Sequence, residues 1–295
     1  MRATTWLRIV RFGNPRPLVC SWGEERTLSG YDTAFQGSAR PTGGYGSNPS
    51  VYRFAPRAGL ADVVRRFRVP VWSLPAGQES IRRVLRYPAC FIVVDADHAS
   101  LVGPTSGITT TRYTSQGWTV AVVLQPAVGR QLIGSDVLTL TDGQIDLGDS
   151  ALAEVPRLVA DIRGSMTHPD DPAARESTVA VLETALRKLI PVDPEGLAVN
   201  NIVRTVESDP TIQRVSQIHE RFGMSERELH HLAAKRIGIT PEWLIRRRRL
   251  HEAAWQLSGC AAAAKLAASL RYDDYAQFQR DFQLAAGIAP PASTQ

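Results

Sequence analysis

The sequence predicts an α+β protein in which an antiparallel β-sandwich or β-roll domain is followed by an all-α domain with two helix-turn-helix motifs. Between residues 51 and 149, short apolar segments alternate with turn signals rich in glycine and proline, and no long helical pattern intervenes. Short strands with regular turn signals are typical of antiparallel sandwiches and barrels. From residue 173 onward, apolar residues instead recur every three and four positions, the spacing of helices with one buried face.

Changes in composition place the domain boundaries. The chain of 295 residues has room for two domains. Residues 1–50 are predicted to be a disordered or weakly ordered extension, because 29–50 are rich in glycine, serine, proline and threonine. We favour an extension upstream of the fold over a basic arm that contacts DNA. The β-rich domain is assigned to 51–164, a linker and one helix to 165–194, and the helical domain to 195–295.

The β-rich domain is predicted to begin with a helix and to continue as short strands. The helix is placed at 58–67, and the strands at 67–74, 89–94, 99–102, 109–113, 118–124 and 137–140. The aromatic side chains of Trp72, Tyr113 and Trp118 are candidates to line an interior pocket for a small apolar or sugar-like effector. Packing in the core explains these aromatic residues equally well.

The helical domain repeats one pattern twice. In the first unit, about 211–238, Val215 and Ile218 begin a helix that breaks at Gly223, and Ser225 is a good N-cap for a second helix. The second unit, about 260–287, repeats both the stepping and the terminal Gly-Ile-x-Pro. A connecting helix over 241–257 begins with Pro241 in its first turn. Two tandem helix-turn-helix units are the predicted architecture, and such units insert their second helix into the DNA major groove.

Several motifs of this region resemble those of the AraC/XylS transcriptional regulators. They fall in the family's order at 223–229, 238–241, 249–250 and 272–282, with a final Gly-Ile-Ala-Pro. The chain departs from the family at Arg271, where a glycine is usual, and at His231 and Ala233, where arginine and phenylalanine are common. The middle region is loosely similar to the cupin-like sensing domain of some of these regulators.

The resemblance implies a function and a set of partners. We expect a sequence-specific transcription factor that binds double-stranded DNA, recruits RNA polymerase as an activator and responds to a small-molecule effector through its β-rich domain. A helix over 173–190 carries a stripe of apolar residues, which in such regulators can form a homodimer. Packing of this stripe on the protein's own sheet has equal weight.

Residues that point away from the apolar face of each recognition helix are the candidates for DNA contact. Arginine can form paired hydrogen bonds with guanine, and glutamine with adenine, in the major groove. Arginines at the start of the charged run 246–249 are candidates for phosphate contact, although four successive helical residues cannot all face one partner. The predicted DNA-binding residues are Arg227, His230, His231, Lys235, Arg246, Arg247, Gln277, Gln279 and Arg280.

Two other functions remain as alternatives. Asp95, Asp97 and His98 directly follow an apolar segment and could bind a divalent cation in a metal-dependent enzyme. A polar turn between strands explains the same residues without any chemistry, and we favour that interpretation, so neither a cofactor nor a metal is expected. The second alternative is an architectural DNA-binding protein without an effector.

Composition and cysteine usage indicate the cellular compartment in which the protein is expected. The net charge is +5, a mild excess that favours polyanionic partners, and most of it lies from Thr211 to the end. The three cysteines, Cys20, Cys90 and Cys260, are scattered and lack the spacing of metal ligands. No apolar run approaches the length of a membrane span, and no signal peptide is recognisable. A reduced, cytoplasmic protein is expected.

Overall fold

The computed structural model describes residues 49–257 and residues 276, 277, 279 and 280. The predicted N-terminal extension and most of the second helix-turn-helix unit lie outside the described residues.

The β-rich domain contains a large sheet and a small one, both antiparallel. Its strands are β1 (Ser50–Phe54), β2 (Val64–Ser73), β3 (Glu79–Leu85), β4 (Phe91–Asp95), β5 (Ala99–Val102), β6 (Ile108–Thr114), β7 (Gln116–Leu124) and β8 (Gln144–Asp146). The large sheet has the order β1-β2-β7-β4-β5-β8, and β3 pairs with β6 as a separate two-stranded sheet. Antiparallel β structure followed by helices confirms the predicted fold class.

Seven α-helices follow or cover the sheets in the described part of the chain. They are α1 (Pro126–Ile133), α2 (Val155–Ser165), α3 (Pro172–Leu186), α4 (Pro194–Ser208), α5 (Val215–Phe222), α6 (Glu226–Arg236) and α7 (Pro241–Leu257). None of the helices in these ranges is both long and apolar enough to cross a membrane.

The alternation of side chains along the strands divides the large sheet into two faces. One face presents Phe67, Ile92 and Val122 to helices α1, α2 and α3, and this packing forms the first hydrophobic core. On the opposite face, Phe91 and its neighbours on β5 and β7 pack against helices α4 to α7 in a second core. The helical domain therefore shares a core with the β-rich domain.

The apolar stripe of α3 is buried inside the first core. Val179, Leu182, Leu186 and the following Leu189 are all at most 8% exposed. Of the two interpretations of this helix, packing on the protein's own domain is the one observed. A homodimer formed through this stripe would have to remove it from the core.

Two predicted elements of the β-rich domain are wrong. The chain over 58–63 forms turns instead of a helix, because Gly59 has a left-handed φ of 87° that a helix cannot contain. The predicted strand at 137–140 is a 3₁₀ turn, in which Val137 and Leu140 are buried and Leu138 is 54% exposed. Burial at a spacing of three residues fits that turn and not a strand.

Five strands and α-helices of the described chain were not predicted: β1, β3, β8, α1 and α2. Strand β3 carries three charged residues, so its pattern lacks the apolar alternation of a half-buried strand. Helix α2 lies in a stretch that was assigned to the end of the β-rich domain, although Val155, Leu158 and Ile162 have helical spacing and are buried.

Candidate DNA-binding unit and ligand cavity

The turn of the first helix-turn-helix unit is built from local hydrogen bonds. Gly223 ends α5 with a φ of 64°, which glycine adopts without steric cost, and its neighbour Met224 donates to the carbonyl of His219 at 3.1 Å. Ser225 then caps α6: its hydroxyl accepts from the Glu228 backbone at 3.2 Å, and the Glu228 carboxylate accepts from the Ser225 backbone at 2.7 Å. This capping box fixes where the recognition helix begins.

One face of α6 is buried and the opposite face is open to solvent. Leu229 and Ala233 pack into the second core, whereas Arg227 and His231 are exposed. His230 is half-buried beside two carboxylates, 3.2 Å from Glu242 and 3.9 Å from Glu226. The structure thus brings Arg227, His230 and His231 together on the outer side of the recognition helix.

Two predicted DNA contacts are engaged within the protein. Lys235 forms an ion pair with Glu195 at 2.7 Å and is half-buried. Arg247 is 2% exposed and pairs with Glu207 at 3.0 Å, so its predicted contact with phosphate is contradicted in this conformation. Arg248 of the same run is also buried and donates to the carbonyl of Ile212 at 2.8 Å.

The remaining predicted DNA contacts are more accessible. Arg246 is half-buried in α7. Gln277, Gln279 and Arg280 belong to helical residues of the second unit, where Gln277 and Arg280 are exposed and Gln279 is half-buried.

The end of α6 is attached to the start of α4 by ion pairs and to the β-rich domain by one hydrogen bond. Arg236 is 6% exposed and lies 2.6 Å from both Asp193 and Glu195, at the start of α4. It also donates to the carbonyl of Ala127 in α1 at 3.3 Å. The hydrogen bond from Lys235 lowers the pKa of Glu195, as does the one from Arg236. No role was assigned to Arg236 from the sequence, because the local pattern gives no sign of its carboxylate partners at the start of α4.

The turn after α6 fits closely against the β-rich domain. Gly238 has a φ of 79°, and a Cβ placed there would lie 2.7 Å from Pro104 and 2.8 Å from Thr141. Its carbonyl accepts a 2.5 Å hydrogen bond from the Thr141 hydroxyl. Further along, the indole of Trp243 donates to the carbonyl of Ser106 at 2.7 Å. The Gly-Ile-Thr-Pro segment is therefore an interface between domains as well as the end of a helix.

A large cavity lies between the two sheets. Its volume is about 1010 Å³, and its lining includes all three aromatic residues that were predicted to form an effector pocket: Trp72, Tyr113 and Trp118. The rings of Trp72 and Tyr113 meet edge to face at 4.7 Å. A Cβ on Gly117 would lie 2.6 Å from the Trp72 ring, so a glycine is needed beside this indole.

Four arginines of the described chain line the cavity and were not predicted to do so: Arg68, Arg86, Arg112 and Arg163. Two of them stand out because they have enclosed N–H groups without an acceptor among the described residues. Arg68 lies on β2, and Arg86 immediately follows β3. The Nε of Arg68 and the Nη1 of Arg86 are enclosed and have no hydrogen-bond partner within the described part of the chain. Burial, and then the charge of Arg68, lowers the pKa of Arg86 to about 10. A signal for Arg68 exists in the sequence, because the alternation of Phe67 and Val69 places Arg68 on the face of Trp72.

The acidic cluster of the enzyme alternative forms a turn. The Asp95 carboxylate accepts hydrogen bonds from the backbone of Asp97 at 2.9 Å and of His98 at 2.7 Å. Potential ligand atoms of these three residues lie within 4.8 Å of one another. Since Asp95 already caps the turn between β4 and β5, the cluster has a structural role that needs no metal.

Residues 218–293 match a protein-family model described as a helix-turn-helix domain. The C-terminal part of this chain is an AraC-type helix-turn-helix domain. An AraC-type domain identifies the chain as a DNA-binding transcriptional regulator. Residues 52–146 match a second family, described as a domain of unknown function (DUF6597), which covers most of the two sheets. No curated protein matches the sequence.

Solved structures with overlapping folds include ToxT from Vibrio cholerae. ToxT with bound unsaturated fatty acid is 13% identical, with 84% of this chain and 95% of that chain covered and a TM-score of 0.34. ToxT bound to (E)-4-(8-methylnaphthalen-1-yl)but-3-enoic acid is 12% identical, with coverage of 83% and 97% and a TM-score of 0.36.

The described part of the AraC-type domain contacts the cavity wall directly. The Nε of Arg247, in the connecting helix α7, donates to the backbone carbonyl of Arg86 at 2.7 Å. Glu207 of α4 pairs with Arg247 and also with Arg65 of β2, each at 3.0 Å. Both guanidinium groups lie over the ring of Tyr87, the residue after Arg86. The segment at Arg86 and Tyr87 is therefore joined to α7 by a hydrogen bond and by the guanidinium group of Arg247.

Proposed function

We propose that this regulator is a one-component, effector-responsive transcriptional activator. The observation that carries the proposal is the shared position of Arg86: its side chain lines the cavity, and its backbone carbonyl is bonded to α7 of the AraC-type domain. An effector that moves this segment changes the packing of α7, and with it the placement of the recognition helices. A ligand can shift this equilibrium only by its difference in affinity for the two arrangements.

In this proposal, Arg227 and His231 of α6 contact base edges, with His230 beside them. Gln277, Gln279 and Arg280 of the second unit contact the next segment of the major groove, so the two recognition helices lie about one DNA turn apart, roughly 34 Å. Arg246 contacts phosphate. Lys235 and Arg247 instead hold α6 and α7 against α4, because they are paired with the α4 carboxylates of Glu195 and Glu207. Arg247 also bonds to the carbonyl of Arg86 in the β-rich domain.

The proposal includes three further features, which are supported by the resemblance to AraC-type regulators. The protein acts in the cytoplasm, where its DNA lies, and it recruits RNA polymerase from a site next to a promoter. It acts as a homodimer through a surface other than the apolar stripe of α3. We assign it no catalytic activity, since Asp95 is committed to its turn.

Selection of genomic fragments by the purified full-length protein tests the proposal, followed by affinity measurements across a salt series. A specific regulator should prefer its selected sites over random DNA by more than about 10³-fold. Phosphate contacts should make log K fall linearly with log salt, with a slope near −0.9 for each phosphate neutralised. Binding without any sequence preference would contradict the proposal. Specific binding that no compound alters would favour the architectural alternative.

A further inference from the structure

The cavity between the sheets has a basic side for which residues 49–257 supply no neutralising partner. Along the large sheet, Arg68 is next to Ala121, and Ala121 is next to Val93, so these three residues form one row of the cavity wall. Arg86 enters from the two-stranded sheet, and its guanidinium lies 5.3 Å from the centre of the Phe91 ring. One arginine from the large sheet and one from the segment after β3 thus line the same cavity beside an apolar surface.

The two guanidinium groups lack an acidic partner in the part of the chain that the structure describes. Their enclosed N–H groups, the Nε of Arg68 and the Nη1 of Arg86, have no acceptor there. A buried donor without an acceptor is destabilising, and two like charges that are close together add repulsion. The lowered pKa of Arg86, which Arg68 helps to lower, is consistent with that repulsion. An anion between the two side chains would supply acceptors and remove the repulsion.

Among residues 49–257, three acidic residues line the cavity: Asp97 and Asp170 are exposed to solvent, and Asp95 is bonded within its own turn. Asp95 accepts from the backbone of its own turn, and its carbonyl accepts from the Nε of Arg163 at 3.1 Å. Two further arginines in the same range line the cavity: Arg163, which is bonded to Asp95, and Arg112, which is exposed and paired with Glu79. The basic side that faces a ligand is therefore formed by Arg68 and Arg86.

The rest of the cavity lining near the two arginines suits a ligand whose body is flat and apolar. Trp72 and Tyr113 are in edge-to-face contact, and Phe91, Trp118 and Val93 add further apolar lining. A volume of about 1010 Å³ is at the upper end of the range for small-molecule sites. Arginine is well suited to bind a carboxylate, because its planar fork of donors matches the two carboxylate oxygens.

We propose that the cavity binds an organic carboxylate with an apolar, preferably aromatic body, and that Arg68 and Arg86 bind its carboxylate group. The inference rests on the proposed effector function of the β-rich domain and names the chemical class of the effector. It also gives Arg86 two roles, since the residue that binds the anion is the one whose carbonyl is bonded to Arg247.

Calorimetric titration of the full-length protein tests this inference. The probes are 2-naphthoate, benzoate and octanoate, each compared with its uncharged primary amide. At least one acid should bind, and its amide should bind about 10-fold or more weakly, because hydrogen bonds to charged groups contribute on the order of a factor of ten or more. Failure of all three acids to bind at millimolar concentration, or equal binding of acid and amide, would overturn the inference.

Arginine variants make the test specific to this pair. Arg68→Gln and Arg86→Gln should each weaken binding of the acid by about 10- to 100-fold and leave binding of the amide unchanged. Arg112→Gln is the matched control, since Arg112 also lines the cavity but is paired with Glu79, and it should bind the acid as the wild type does. Full affinity in both cavity variants would also overturn the inference.

Folding and DNA binding are measured in parallel. The melting temperature of Arg68→Gln should equal or exceed that of the wild type, because the substitution removes one of two repelling charges. If Arg68→Gln does not fold, Arg68→Lys keeps the charge but loses the planar fork and should still weaken binding of the acid. If an uncharged compound alters sequence-specific DNA binding, the proposed regulatory function stands. Only the proposal that the effector is a carboxylate is then overturned.

Discussion

The Nε of Arg247 donates a 2.7 Å hydrogen bond to the backbone carbonyl of Arg86 and so joins the connecting helix of the DNA-binding domain to the wall of the cavity. Arg247 lies in a run of four arginines that suggests contact with phosphate, yet its guanidinium is enclosed by Glu207 and Tyr87. Arg86 belongs to the segment between the two sheets. The contact places a cavity residue and a residue of the DNA-binding domain one hydrogen bond apart.

Glu207 should be essential for this junction. Its carboxylate pairs with both Arg65 and Arg247 and is largely buried, so Glu207→Ala leaves two arginines without this partner. Removal of one partner from a buried ion pair typically costs about 3–5 kcal/mol. We expect a decrease of that size in the free energy of unfolding, measured by urea denaturation. Glu220→Ala, at an exposed position of α5, is the control and should change the free energy by no more than about 0.5 kcal/mol. Similar values for the two variants would contradict a structural role for Glu207.

Gly238→Ala should disrupt the contact between the turn after α6 and the β-rich domain. A methyl group there would meet Pro104 at 2.7 Å and Thr141 at 2.8 Å, in addition to the strain of a φ of 79°. Gly77 has the similar φ of 77° with no atom within 4 Å of a Cβ, so Gly77→Ala isolates the backbone strain, about 1–2 kcal/mol. Overpacking should make Gly238→Ala a further ~1–3 kcal/mol less stable in urea denaturation. Equal losses of stability in the two variants would show that the turn accommodates the added methyl group without further cost.

Arg227→Ala should weaken specific DNA binding without changing stability. The side chain is exposed on α6, so the melting temperature should stay at the wild-type value, while loss of a paired hydrogen bond to a base costs about 1–3 kcal/mol. Competition binding to a selected site and to random DNA measures the effect, and only the affinity for the selected site should fall by that amount. Lys235→Ala provides the contrast, because Lys235 is paired with Glu195, and it should lower stability more than specificity.

Arg280→Ala tests the second unit in the same way. The residue is exposed in a helical segment, and we expect specific binding to weaken far more than non-specific binding. An equal loss of affinity for the selected site and for random DNA would indicate that Arg280 contacts phosphate and not base edges.

Acid should weaken the attachment of α6 to the start of α4. The hydrogen bonds from Lys235 and Arg236 lower the pKa of Glu195 below its ordinary value of 4.5. A depressed pKa stabilises the folded state fully above about pH 4.5, and this contribution is lost as the pH falls through the folded-state pKa. The melting temperature of Glu195→Gln should therefore depend less on pH between 5 and 3 than that of the wild type. If the melting temperatures of the two proteins depended equally on pH, this role of Glu195 would be contradicted.

The sequence predicted the first helix-turn-helix unit well because its signals are local. Gly223 supplies the left-handed turn, and the Ser225 and Glu228 pair forms a capping box from residues three apart. It predicted the strands less completely, because β3 is charged and its partner β6 is distant in the chain. Trp72, Tyr113 and Trp118 were expected in a pocket, but their bulk alone could not separate a pocket from a core.

The sequence by itself determined the fold class, the position of the recognition helix and the AraC-type character of the C-terminal domain, since periodicity, caps and motif spacing are properties of neighbouring residues. Tertiary structure alone decided the roles of the arginines. Arg227 is exposed, Arg236 and Arg247 are buried between domains, and Arg68 and Arg86 face a cavity. A guanidinium group can bind DNA, a carboxylate of its own chain or a ligand, and only the groups that long-range packing places around it select among these.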